Sequence, residues 1–121
     1  MNKTVLVIDD SGRFRTVARM ALEGAGFDVT EAEDGLDALK KLEKQRFNII
    51  TCDMNMPRLD GVGFLREMKL LPDHKFTPVI MLSTESNDAM KAKTKEAGAR
   101  AYVTKPFQPS QLIDAVRRLV V

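Results

Sequence analysis

Five polar residues stand where apolar runs end. "VLVIDD" leads into Asp9 and Asp10, "NIITCD" into Asp53, "VIMLS" into Ser83 and "AYVTK" into Lys105. An ionised carboxylate beside a core is costly unless its charge is offset, and no basic residue adjoins Asp53 in sequence. If the three acids converge, a pair about 4 Å apart costs on the order of 4 kcal/mol at an effective dielectric of 20. A divalent cation relieves that repulsion, and an all-oxygen site with open water positions suits Mg²⁺. The chemistry open to such a set is attack of the Asp53 carboxylate on a phosphoryl group, giving an acyl phosphate. Asp9 and Asp10 would hold the metal, while the Lys105 ammonium and the Ser83 hydroxyl would steady the phosphoryl oxygens.

These roles require elements that bring distant residues to one edge. Four short apolar runs, residues 5–8, 49–52, 79–82 and 101–103, read as buried strands. A fifth, residues 28–31, is half-polar and reads as an edge strand. Helical patterns lie between them. Phe14, Val17, Ala18, Ala21 and Leu22 keep helical spacing until Gly24 and Gly26 end it. Leu36, Leu39 and Leu42 mark a second helix entered from Gly35. "LDGVGFLREMKLL" gives a third, with Asp60 as its N-cap and Pro72 beyond its end. The fourth, over 87–97, has Met90 and alanines interrupted by Lys91, Lys93 and Lys95. It buries little area and should be the most loosely held. "QPSQLIDAVRRLV" gives the fifth, with Pro109 at its first position and Arg117 and Arg118 near its negative end.

Alternating strands and helices with buried strands imply a parallel sheet covered on both faces, an α/β, doubly wound (βα)5 fold. With strand order 2-1-3-4-5 it would be of the flavodoxin-like kind, which is the expected fold. In open α/β sheets ligands bind at the carboxyl ends of the strands, at the topological switch point. With strand order 2-1-3-4-5, the first and third strands flank that point and the three aspartates meet.

The 121 residues suit one domain, expected to span 1–121 without an output domain. Hydrophobic residues at 44% and charged ones at 30% are an ordinary globular balance. A net charge of +2 gives no basis for bulk nucleic-acid binding. The single cysteine, Cys52, cannot form an internal disulfide, which fits a reducing cytoplasm; it reads as a small buried hydrophobe. The N-terminal apolar run is too short for a signal peptide or a membrane span.

Bland roles compete at several positions. Asp10 could merely cap the first helix. Met54 and Met56 read as packing, and His74, in "PDHK", as solvated. The glycines at 24–26 and 61–63 lack the strand-to-helix context of a dinucleotide fingerprint.

Taken together, "IDD", "CDMNMPRLDG", "MLST" and "YVTKPF" resemble the receiver domain of two-component response regulators over the whole chain, and most of all its CheY-like single-domain type. The resemblance implies that Asp53 takes a phosphoryl group from a sensor histidine kinase. It implies that Asp10, Asp53 and the main-chain carbonyl of Asn55 ligate Mg²⁺, with Asp9 acting largely through water, and that the Lys105–Pro106 bond is cis. Ser83 and Tyr102 become the switch, Tyr102 turning inward as Ser83 moves toward the phosphoryl group. The fourth helix, fifth strand and fifth helix become the partner face, with Met90, Lys91, Lys95, Tyr102 and Gln111 on it. The implied target is a downstream protein such as the flagellar motor switch. A cytoplasmic monomer is expected, neither inserted in a membrane nor bound directly to nucleic acid.

Asn55 and Glu85 would flank the path of a hydrolytic water. Thr84 stands where the family usually has Ala or Gly and should narrow access to the site. The competing enzyme reading is a haloacid-dehalogenase-type aspartyl phosphatase. It needs a second acid two residues beyond the nucleophile, where this chain has Asn55. A flavin carrier of the same fold would need a hydroxyl-rich phosphate loop, which is not evident.

Overall fold

A computed structural model describes residues 2–121. Its strands are β1 (Thr4–Ile8), β2 (Asp28–Ala32), β3 (Ile49–Asp53), β4 (Val79–Ser83) and β5 (Ala101–Thr104). They alternate with α1 (Gly12–Gly24), α2 (Gly35–Lys44), α3 (Gly61–Met68), α4 (Asp88–Glu96) and α5 (Pro109–Leu119). All pairings are parallel and the order is β2-β1-β3-β4-β5, the α/β architecture expected from the sequence. The half-polar β2 lies at one edge, and β1, β3 and β4 are buried on both faces.

Side-chain alternation along the strands divides the core in two. Val5, Val7, Ile49, Ile80 and Leu82 pack against Ala18 and Leu22 of α1 and Leu112 and Val116 of α5. Leu6, Ile8, Ile50, Cys52 and Met81 pack on the opposite face against α2 and α3, with Met90 of α4 at the margin. Met54 is buried and Met56 lies against the same cluster, both as packing residues.

Local signals set the helix starts. Ser11, Asp34, Asp60 and Asn87 each accept a hydrogen bond from the backbone N–H three residues on, capping α1 to α4. The cap of α1 is therefore Ser11, not Asp10. The strand over residues 101–103, expected to be buried, is only half-buried, because β5 lies at the sheet edge and pairs with β4 alone. Individual side chains also depart from a simple reading. Val17 and Leu36 keep helical spacing but are exposed, and Ala38 is buried in α2 instead. Leu70 is exposed as well, because α3 ends at Met68. His74 is buried, not solvated. The chain after α3 coils on itself, with the His74 and Lys75 N–H groups both donating to the Leu71 carbonyl at 3.0 and 2.9 Å. That coil turns the imidazole inward while Asp73, Lys75 and Phe76 stay exposed. Among the described residues, no helix is long and apolar enough to cross a membrane.

Candidate functional site

Strand register assembles the site. Ile8 of β1 pairs with Cys52, Asp53 with Leu82, and Ser83 with Thr104, so all the polar residues leave the sheet at one edge. Alternation then sorts them. Asp9 follows the parity of Val5 and Val7, Asp53 that of Ile49, and Lys105 that of Ala101 and Val103, which puts all three on the α1–α5 side. Ser83 follows Val79 and Met81, and with Tyr102 it falls on the α2–α3 side. The charged cluster and the hydroxyl pair thus sit on opposite faces of the same sheet edge.

Asp9 is fixed from two directions. Its Oδ1 accepts from the Ser11 N–H at 2.9 Å and its Oδ2 from Lys105 Nζ at 2.8 Å. Lys105 Nζ also stands 3.7 Å from Asp53 Oδ1. One carboxylate oxygen from each of Asp9, Asp10 and Asp53 lies within 4.8 Å of the others. Asp9 and Asp53 are buried and Asp10 is exposed. Burial and the neighbouring Asp9 charge push the Asp53 carboxyl up to about 6, although Lys105 and the Asn55 N–H favour its ionised form. A convergent all-oxygen set whose members repel one another fits a hard divalent cation. The Cys52 thiol is held well above its ordinary value, by burial first and then by the nearby aspartates, so this residue packs and does not react.

The Ser83 hydroxyl is buried and accepts from the Glu85 N–H at 3.0 Å. The Glu85 carbonyl in turn accepts from the Tyr102 hydroxyl, which ties β5 to the loop after β4. Asn55, Thr84 and Glu85 are exposed at the rim. Thr84 and Lys105 sit at one end of an apolar groove of about 450 Å³ that runs between α1 and α5. Lys91, Lys95 and Tyr102 line a second cleft, of about 280 Å³, and the Lys91 ammonium lies 6.0 Å from the Tyr102 ring centre. Gln111 is exposed, but its side-chain oxygen accepts from the Gln108 N–H at 2.7 Å and belongs to the α5 cap. The Lys105–Pro106 peptide is cis, as the resemblance implied.

Two supports escaped the sequence reading. The Lys105 ammonium lies 4.2 Å above the Phe14 ring, and Phe107 meets that ring edge-on with centroids 5.9 Å apart. Its spacing marks Phe14 only as part of the apolar stripe of α1. Arg15 donates through Nη1 to the Asp9 carbonyl at 2.6 Å and through Nε to Glu31 at 3.1 Å, bracing the β1–α1 loop. Both pairs lie far apart in sequence or face the backbone, so no periodicity announces them.

Comparison with known proteins agrees with this geometry. Residues 5–117 match the family model described as response regulator receiver domain. The chain is 43% identical to Protein PilG of Pseudomonas aeruginosa, covering 93% of this chain and 84% of that protein. It is 37% identical to the alkaline phosphatase synthesis transcriptional regulatory protein PhoP of Bacillus subtilis, spanning 99% of this chain but only 49% of that protein's length. Among solved structures, the Vibrio cholerae chemotaxis protein CheY4 superposes with a TM-score of 0.95 at 37% identity, covering 99% of this chain and 100% of that one. The receiver domain of the sensor histidine kinase PA1611 from Pseudomonas aeruginosa, solved with a magnesium ion coordinated in its active-site cleft, superposes at 0.90 with 28% identity, over 98% of each chain. These matches favour the receiver reading over the haloacid-dehalogenase-type one, and by sequence and by structure the chain belongs to the response regulator receiver domain family.

Proposed function

We propose that Asp53 is the phosphoryl acceptor of a signalling switch, charged from the phosphohistidine of a sensor histidine kinase. One observation carries this reading: the Asp53 carboxylate lies 3.7 Å from the Lys105 ammonium and within 4.8 Å of an oxygen from each of two further aspartates. Asp53 attacks the phosphorus; the new O–P bond forms as the P–N bond to the histidine ring breaks. Lys105, which bridges Asp9 and Asp53, would follow a phosphoryl oxygen, and the Ser83 hydroxyl, once turned from the Glu85 N–H, would donate to another. Asp10, Asp53 and the Asn55 main-chain carbonyl would hold Mg²⁺, with Asp9 acting through water. Bound there, the ion neutralises phosphoryl oxygen charge.

The readout follows from the hydroxyl side of the sheet edge. If Ser83 Oγ turns to the phosphoryl group it leaves the Glu85 N–H, and the loop that anchors the Tyr102 hydroxyl is released. Tyr102 then turns inward, and the face formed by α4, β5 and α5 changes, with Met90, Lys91, Lys95, Tyr102 and Gln111 on it. Lys91 and Lys95, one helical turn apart and both exposed, favour an acidic target segment. The target we favour is a flagellar-motor-type switch protein, met by a cytoplasmic monomer. The acyl phosphate is short-lived: the chain hydrolyses its own phosphate, with Asn55 and Glu85 at the rim guiding water and Thr84 partly shielding it.

The test is incubation with acetyl phosphate and Mg²⁺ followed by mass spectrometry. One acyl phosphate on Asp53 is expected, lost in Asp53→Asn and in EDTA. Modification elsewhere, or labelling that persists in EDTA, refutes the mechanism. Beryllofluoride with Mg²⁺ should shift amide resonances from Ser83 into α4 and β5; shifts that spread through α1 instead would refute the proposed face.

A further inference from the structure

The loop over residues 54–60 leads out of the site through Asn55 and returns the chain to α3, and the Gly61 N–H closes it on the Met54 carbonyl at 2.9 Å. Within it Arg58 has φ 67°, and among the described residues it alone combines a side chain with a positive φ. The Leu59 N–H reaches back to the Pro57 carbonyl at 2.8 Å, so Arg58 is the centre of a γ-turn of the strained, positive-φ kind. A non-glycine residue stays in such a conformation only where its surroundings over-determine it.

Those surroundings belong to the neighbouring β2–α2 loop. Arg58 Nε donates to Asp34 Oδ2 at 2.6 Å, and its guanidinium lies 3.7 Å from Glu33 Oε1. The Leu59 carbonyl accepts from the Gly35 N–H at 3.3 Å. The backbones are so close that a Cβ on Gly35 would stand 2.6 Å from that carbonyl oxygen. Asp34 is a firm anchor: it is buried, and its other oxygen caps α2 through the Asp37 N–H at 2.8 Å. Burial opposes its ionisation, yet the Asp37 N–H and Arg58 together hold its carboxyl below the ordinary carboxylate value.

We infer that Asp34 and Arg58 form a clamp that keeps the strained turn, and with it the Asn55 main chain, in the geometry that divalent-cation binding needs. Both are positioning residues, although neither belongs to the acidic cluster. The inference rests on the reading of Asn55 as a main-chain ligand given above. A purely structural pair would lower stability and leave cation affinity unchanged.

The experiment is Mg²⁺ titration of the wild type, Asp34→Asn, Arg58→Ala and Arg58→Gly, followed by backbone amide NMR over residues 53–61, with the melting temperature of each metal-free protein. Asparagine caps a helix about as well as aspartate, so Asp34→Asn removes the ion pair and spares α2. Asp34→Asn and Arg58→Ala should bind Mg²⁺ about tenfold more weakly, the scale on which groups that orient metal ligands act. Arg58→Gly adopts positive φ without steric cost and should recover most of the lost affinity. Affinities of Asp34→Asn and Arg58→Ala within twofold of wild type, whatever their melting temperatures, overturn the clamp. So does an Arg58→Gly protein that binds no better than Arg58→Ala. Absence of any Mg²⁺ response in the wild type overturns the cation-site reading and the clamp together.

Discussion

Of the eight residues of α3, Gly61, Val62, Phe64, Leu65 and Met68 are buried; of the nine of α4, only Thr94 is. Their strands repeat the contrast. β3, which carries Asp53, is buried throughout, whereas every residue of β5 is half-exposed. Phosphoryl transfer needs atoms held to within a fraction of an ångström, and the proposed acceptor, Asp53, lies on the tightly packed half. A readout needs a surface that moves at small cost, and the half that carries Tyr102 and the α4 lysines has little packing to lose. The two halves meet at the sheet edge, where alternation separates Asp53 from Ser83.

The contrast breaks most readily under core truncation. Leu65→Ala should cost about 2–5 kcal/mol in urea unfolding, while Met90→Ala should cost under about 1 kcal/mol. Comparable losses would mean that α4 is as firmly held as α3.

Asp53→Asn should stabilise the metal-free protein. The carboxyl titrates at about 6 in the folded chain against an ordinary 3.8, so between those values the folded state binds more protons than the unfolded one. Stability therefore falls as pH rises through that window and stays lowered above it. At about 1.4 kcal/mol per pH unit the shift corresponds to at most about 3 kcal/mol. Solvent reaching the site brings the expected gain for Asp53→Asn at pH 7 to roughly 1–2 kcal/mol. The gap between the two proteins should close toward pH 4, as melting temperatures at both pH values will show.

A smaller effect probes the rim. Acyl-phosphate decay should slow on the order of tenfold in Asn55→Met combined with Glu85→Leu, because water loses both polar guides. Thr84→Ala should decay modestly faster. Wild-type decay in the double variant would show that these residues do not position water. Smallest is the support beneath Lys105. Phe14→Leu removes an aromatic face worth about 0.5–1 kcal/mol to the ammonium and should slow labelling by acetyl phosphate about two- to fivefold. Phe14→Tyr, which keeps the face, should label at the wild-type rate. If the leucine variant labels at the wild-type rate too, the ring contributes packing alone.

Much of this arrangement was legible in the chain itself. Each strand was found within one residue of its expected limits, and β1, β3 and β4 were the plainest, because burial on both faces leaves a short apolar run as a local mark. Asp60 was legible as a cap because capping is settled within three residues. The looseness of α4 could be read from its alanines and lysines. The burial of His74 leaves no local mark because it depends on how the chain after α3 coils, and the exposure of Leu36 leaves none because spacing marks a helix without telling which side the sheet will cover. Phe14, Arg15 and the Asp34–Arg58 pair stayed hidden because their partners come from other loops and other elements.

The sequence by itself determined which segments form strands, where helices begin and which residue types could do chemistry, since each depends on neighbours along the chain. Only the tertiary structure decided that Asp9, Asp53 and Lys105 share one side of the sheet edge while Ser83 and Tyr102 share the other. It alone set an aromatic ring beneath the lysine and fastened a strained turn to the neighbouring loop. Those outcomes depend on strand order and register, and a parallel sheet acquires both only when segments tens of residues apart pack together.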